Sequence, residues 1–212
     1  MTPKDVESRS DVASRRSLLR ALALSPLLLV PAMRAHAKDD VLTAFRKRFA
    51  NLSTISFRFS SAAAKGTIQA RKGGSHRIVL PDRTLVSNGK TLWNAVAASK
   101  TVVIEPVKKR AGEFSLDQIF FVVFSAYTAT VTKSTSSGGT IRLTPPDASM
   151  KIGNVDVLDL VVSSNGLVSS IVVHEGSTIT TWKITDLKLN PTLKDSTFTF
   201  TVPGGWQTVD LR

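Results

Sequence analysis

The residues able to do chemistry are few, and their spacing does not suit it. Asn88-Gly89-Lys90-Thr91 has the ending of a phosphate-binding loop. Such a loop needs a glycine five residues before Gly89 and a helix after it. Position 84 is Thr84 and a strand pattern follows, so the four residues read as a hairpin turn, with Asn88 and Gly89 supplying positive φ angles. His174-Glu175 would need a second histidine at position 178 for a zinc-protease motif, and that position is Thr178. His76 is the one other histidine beyond residue 37, too few for a histidine metal site. No Gly-x-Ser-x-Gly elbow activates a serine. Asp156 and Asp159 are three residues apart and fall on opposite faces of a strand, so they form no carboxylate pair. The absence of cysteine removes thiol catalysis, thiolate zinc sites and disulfides. The chain reads as a non-enzyme with no cofactor and no metal.

Charge says more. The formal net charge is +12, which favours anionic partners. Arg71-Lys72 and Lys108-Lys109-Arg110 are basic clusters, but no aromatic residues interleave with them as nucleic-acid binding would want. Residues 1–37 have the plan of an export signal, with Ser14-Arg15-Arg16-Ser17-Leu18-Leu19-Arg20 before a short apolar run and Ala35-His36-Ala37 as the cleavage pattern. The first stretch resembles a twin-arginine motif, with an ordinary secretory signal as the alternative. The run carries Pro26 and Pro31 and is too short to span a membrane. Removing this segment takes away six basic and three acidic residues and leaves +9 on residues 38–212, a length suited to one domain.

The elements that must position everything else are mostly strands. Asp39-Asp40 is expected to start a short helix with Leu42, Phe45 and Phe49 on one face. Ile55, Phe57 and Phe59 then alternate with Ser56, Arg58 and Ser60, giving a strand with one large apolar face. Strand patterns recur at 66–70, 76–80, 85–93, 102–104, 128–132, 140–144, 155–162, 167–174 and 178–187, with Gly, Asn and Pro marking the turns. Thr/Phe alternation over 197–201 predicts another strand, turned by Pro203-Gly204-Gly205 and followed by a last one from Trp206. This rhythm points to an all-β barrel or curved sheet. Ser115 to Tyr127 interrupts it. Ser115 and Gln118 form a capping-box pattern, which favours a short helix through the wholly apolar run 119–124.

Three segments carry a family likeness. LVSNGKTLWNA from Leu85, FTFTVPGGWQTVDL from Phe198 and STISFRF from Ser53 resemble the corresponding strands of the LolA-type periplasmic lipoprotein carriers. The likeness runs in order over 38–212. It implies a mainly β fold: an unclosed, curved antiparallel β-barrel, or half-barrel, with short lid helices over an apolar cavity. It further implies a periplasmic carrier of acylated lipoproteins, loaded by an inner-membrane ABC transporter and unloaded to an outer-membrane acceptor. That acceptor has a similar fold but is lipidated on a cysteine, which this chain lacks. Ile55, Phe57, Phe59, Ile78 and Leu80 are the expected cavity walls. Phe45, Ile119, Phe120 and Phe124 are the expected lid. In the family a basic-Arg-Pro segment latches barrel to lid. Its register falls here on Arg71-Lys72-Gly73, so Lys72 is the latch candidate and Arg71 its stand-in. Nucleic acid is not an expected partner, and a monomer is expected. Two alternatives remain: the apolar residues fill an ordinary core, or the domain senses a lipid or binds a protein without transporting anything.

Overall fold

The computed structural model describes residues 32–107 and 116–212. Among these, a helix, α1 (Ala32–Phe49), is followed by β1 (Thr54–Ser60), β2 (Lys65–Arg71), β3 (Ser75–Val79), β4 (Thr84–Asn88), β5 (Thr91–Val96) and β6 (Thr101–Pro106). A helical segment over 116–126 follows. The second half holds β7 (Thr128–Thr135), β8 (Gly138–Thr144), β9 (Val157–Ser163), β10 (Val168–Glu175), β11 (Thr178–Leu189) and β12 (Gln207–Asp210). The strands form one sheet in the order β12-β6-β5-β4-β3-β2-β1-β11-β10-β9-β8-β7. The two outermost strands, β12 and β7, do not pair with each other, so the barrel stays unclosed. Neighbours are antiparallel except β12, which runs parallel to β6.

Curvature has a local origin. The register between β1 and β11 slips between Ser56 and Arg58, leaving one extra residue on β11. Asp186 lies in that bulge with φ 53°, and Arg58 holds its carboxylate at 3.1 Å. Similar slips occur between β9 and β10 and between β7 and β8. Each bulge bends its strand and raises the local twist, which rolls a flat sheet into a trough. Gly66 on β2 lets this bend close up. A Cβ there would meet the Val79 carbonyl oxygen at 2.4 Å and the Phe59 ring at 2.8 Å.

The concave face carries the main core. Cross-strand partners share a face, so Ile55, Phe57 and Phe59 of β1 line up with Ala70, Ile68 and Gly66 of β2. Val41, Phe45 and Phe49 form the buried stripe of α1, with Leu42 beside it. The helix sits on the turn after β9: Arg48 Nε donates to the Asn165 carbonyl at 3.0 Å. Gly166 there is at φ 80°, and a Cβ would strike the Ala44 carbonyl oxygen at 2.6 Å.

A smaller core lies on the convex face. Ala95, Val102 and Ile104 are covered by Phe200, Val202 and Trp206 of the C-terminal segment.

Four sequence expectations need correction. The helix begins at Ala32, seven residues before Asp39, because Ala-Met-Arg-Ala-His-Ala-Lys contains nothing that stops a helix. The 197–201 strand is absent. Asp195–Phe198 is a 3-10 turn and an extended stretch follows without a ladder partner. The Thr/Phe alternation is real, since Phe198 is buried and Phe200 half-buried, but the backbone crosses the convex face, and the carbonyls of Thr197 and Thr199 accept from Arg77 at 2.8 and 3.2 Å. In the β4–β5 turn only Gly89 has positive φ (87°). Asn88 acts through its side chain, accepting the Lys90 and Thr91 N–H groups at 2.9 and 2.8 Å. Leu80 falls just past β3, its N–H donating to the Arg83 carbonyl at 2.9 Å. The Ser115 cap and the Lys108-Lys109-Arg110 cluster lie outside the described residues, as does the export motif around Arg15-Arg16.

Candidate functional site

The site is built on β1. Phe57 is 2% exposed and Ile55 fully buried, both on the concave face. Above them lies the 116–126 segment: one turn of α-helix (Leu116–Gln118), a π-helical turn (Ile119–Val123) and a last α turn (Phe124–Ala126). The wider π turn turns Ile119, Phe120 and Val123 inward together. Tyr127 ends it. Its buried hydroxyl donates to the Val155 carbonyl at 3.2 Å and accepts the Ile152 N–H at 2.9 Å, which pins the segment to the approach to β9.

Five phenylalanines join the sheet to the two helical segments above it. The Phe57 and Phe120 ring centroids are 5.2 Å apart. Phe120 continues to Phe124 at 5.3 Å and to Phe49 at 5.7 Å. Phe45 closes the group, 4.8 Å from Phe124 in an edge contact and 4.9 Å from Phe49. Tilted and edge-on pairs of this kind are favourable beyond their burial. All the expected wall and lid residues, Ile55, Phe57, Phe59, Ile78, Leu80, Phe45, Ile119, Phe120 and Phe124, thus belong to one apolar cluster.

Phe59, Ile78 and Leu80 make none of these ring contacts with the helical segment. Phe59 packs at the far end of the trough against Trp182, 5.6 Å away. Leu80 borders a separate opening of about 450 Å³ beside the β1–β2 hairpin. Ile78 is half-buried on β3, opposite Ile68 and Leu85. Phe49 is the member of the cluster that the expected lid set omits, although its place four residues after Phe45 marks it in the sequence.

Arg71 and Lys72 are adjacent and point to different places. Arg71 faces the convex side. It donates to Asp195 Oδ1 at 2.7 Å and to the Leu193 carbonyl at 2.8 Å, and lies 4.8 Å from the centre of the Phe198 ring. Lys72 borders a cleft of about 330 Å³ beside the 116–126 segment, lined also by Phe45, Arg46, Phe49, Phe120 and Phe124.

The titratable groups with shifted pKa values are elsewhere. On the convex face Asp159 accepts two bonds from Arg142, at 2.7 and 2.8 Å, and lies 3.2 Å from His174 Nε2. The Arg142 bond holds the Asp159 carboxyl below the usual range. Asp156 is lowered in the same way by Lys151 and by the Gly176 N–H. Asp159 serves cross-strand pairing with Arg142, and Asp156 ties Lys151 to the turn after β10.

Residues 42–201 match the family described as "Outer membrane lipoprotein carrier protein LolA". No curated protein matches the chain. Among solved structures, an uncharacterized conserved protein from Thermus thermophilus is similar, with a TM-score of 0.51 at 11% identity over 81% of this chain and 98% of its own. A LolA superfamily protein from Nitrosomonas europaea has a TM-score of 0.41 at 11% identity, covering 76% and 97%. A DUF1329 family protein from Desulfovibrio piger has 0.41 at 10%, covering 78% and 96%. With three quarters of its residues inside the family match and an unclosed sheet capped by helices, the chain belongs to the LolA family of outer-membrane lipoprotein carriers.

Proposed function

We propose that this protein is a periplasmic carrier that shelters the acyl chains of lipoproteins between the trough of its sheet and the helices above it. It takes them from an inner-membrane transporter and passes them to an outer-membrane acceptor. Residues 1–37 act as its cleaved export signal. The observation that carries this reading is the contact of Phe57 with Phe120. A wall ring and a lid ring meet without covalent or polar fastening, across a face that is apolar on both sides. Such a contact can be exchanged for contact with acyl chains at small net cost, since each buried methylene gives about 0.8 kcal/mol. Ile55 and Ile119 then become chain contacts in the loaded form, and Phe45 and Phe124 swing with their helices. Lys72 at the rim takes the place of the family's latch without the planar fork of arginine, which makes opening easier.

The test is a handover assay. Inner membranes holding the lipoprotein-releasing transporter and a labelled lipoprotein are incubated with ATP and the purified protein. ATP-dependent appearance of the lipoprotein in the soluble fraction, bound to this protein, supports carriage. A protein that binds the lipidated peptide but never takes it from the transporter is a lipid-sensing domain.

A further inference from the structure

The cleft beside the lid has a polarity that bare acyl shelter does not require. Its floor is aromatic: Phe45, Phe49, Phe120 and Phe124. Its rim carries Arg46 from the end of α1 and Lys72 from the end of β2. Both cations are exposed, and neither side chain has an acidic or hydrogen-bonding partner among the described residues. No acidic residue is among the described residues lining the cleft. Other arginines of the described surface have an acidic or carbonyl partner, as Arg58 has Asp186, Arg71 has Asp195, Arg142 has Asp159 and Arg48 has the Asn165 carbonyl, which sets Arg46 apart. An apolar floor beneath two unmatched cations is complementary to a molecule with an apolar tail and an anionic head.

The volume limits the tail. At about 330 Å³ the cleft is at the low end of small-molecule pockets, roughly 300–1,000 Å³. With the lid seated it can take the inner part of one chain and has no room for three.

We infer that the lid-seated protein binds a single-chain amphiphile with an oxyanion head, the chain lying on the Phe45–Phe49–Phe124 floor and the head between Arg46 and Lys72. This rests on the acyl-sheltering reading and adds a head-group preference to it. An occupant of this kind would keep the cleft filled between cargoes.

The experiment compares lysophosphatidylglycerol with lysophosphatidylcholine of the same chain length, each below its micelle concentration, titrated calorimetrically into the purified protein. Glycerol phosphate serves as a head without a chain. The anionic lipid is expected to bind one site at least about five-fold more tightly at low salt, with the advantage shrinking as salt screens the exposed cations. Arg46→Gln with Lys72→Gln should bring the two lipids level, with the larger loss on the anionic one. Glycerol phosphate alone should give no measurable heat. Equal affinity for the two lipids overturns the head-group inference and leaves acyl shelter standing. An advantage that survives the double variant places the head elsewhere and also overturns it. Tight binding of glycerol phosphate would make this a plain anion site, not an amphiphile site. Failure of both lipids to bind overturns this inference and leaves the acyl-sheltering reading to the handover assay.

Discussion

The ring of Phe57, fixed on β1, lies 5.2 Å from the ring of Phe120 on the helical segment above it, with the two planes inclined at 54°. One residue belongs to the sheet and the other to the part that must move if the trough is to open. Phe57→Ala removes a fully packed wall side chain and is expected to cost about 3–5 kcal/mol in urea unfolding. Phe120→Ala should cost less, because the segment can settle into the space. In the double variant the two losses should fall short of additivity by about 0.5–1.5 kcal/mol, the coupling of an aromatic pair. Additive losses would mean the contact carries no energy of its own.

Arg71 and Lys72 are expected to separate stability from binding. Arg71→Leu loses an ion pair, a carbonyl contact and the Phe198 face. It should lower stability by about 1–2 kcal/mol and loosen the C-terminal segment in hydrogen exchange. Lys72→Leu should change stability by less than about 0.5 kcal/mol. The reverse pattern, with Lys72 stabilising and Arg71 silent, would contradict the geometry at the end of β2.

Acid should weaken the convex face through Asp159. Its folded pKa is lowered, chiefly by the Arg142 bond. The stabilisation it gives is therefore fully present above its unfolded pKa, near 3.9, and is lost as pH falls through the lower folded value. Asp159→Asn should destabilise the protein by about 1 kcal/mol at pH 7, a modest figure because the Arg142 side chain is 45% exposed. The difference from the parent should shrink below about pH 4. A constant difference down to pH 2 would mean the pair is not the cause.

Export gives a separate check. N-terminal sequencing of the exported protein should begin at Lys38, and Arg15→Lys with Arg16→Lys should block export by the twin-arginine route. Normal export of that variant would point to the ordinary secretory route. In the uncleaved chain α1 runs through this bond from Ala32, so cleavage at residue 37 would leave Asp39 and Asp40 in the first turn, where acidic residues suit the helix dipole.

Much of the sheet was legible because strand alternation is a strict period of two. Ile55, Phe57 and Phe59 could only share a face, and they do. Alternation does not reveal whether a strand finds a ladder partner. Phe198 and Phe200 alternate as strand residues do, yet they lie flat on the convex face, because Arg77 side-chain donors take the carbonyls that a neighbouring strand would have taken. The lid run was harder still. Ile119 to Phe124 is apolar all round, so no period fixes its inward face, and the π turn that selects Ile119, Phe120 and Val123 leaves no mark in composition. The divergence of Arg71 from Lys72 is the alternation of a strand continued one residue past its end, since Arg71 pairs with Thr54 on the convex face and Lys72 N–H still donates to the Ser53 carbonyl. The bulge at Asp186 was invisible for a similar reason, since a single extra residue in β11 changes no pattern upstream of it.

The central claim is that lid and wall part to admit acyl chains, and the most direct measurement is ligand displacement. The purified protein is titrated with a fluorescent apolar probe, then with a triacylated lipoprotein and with the same protein lacking its acyl groups. Saturable binding at about one site is expected, with displacement by the acylated form only. Phe57→Asp, which sets an unpaired charge on the wall, should abolish probe binding. Arg58→Gln on the opposite face, chosen because an acidic residue there would confront Asp186, should leave it intact. No saturable binding by folded protein, or displacement by the acyl-free form as well, would contradict the claim and leave the five-ring cluster as an ordinary core.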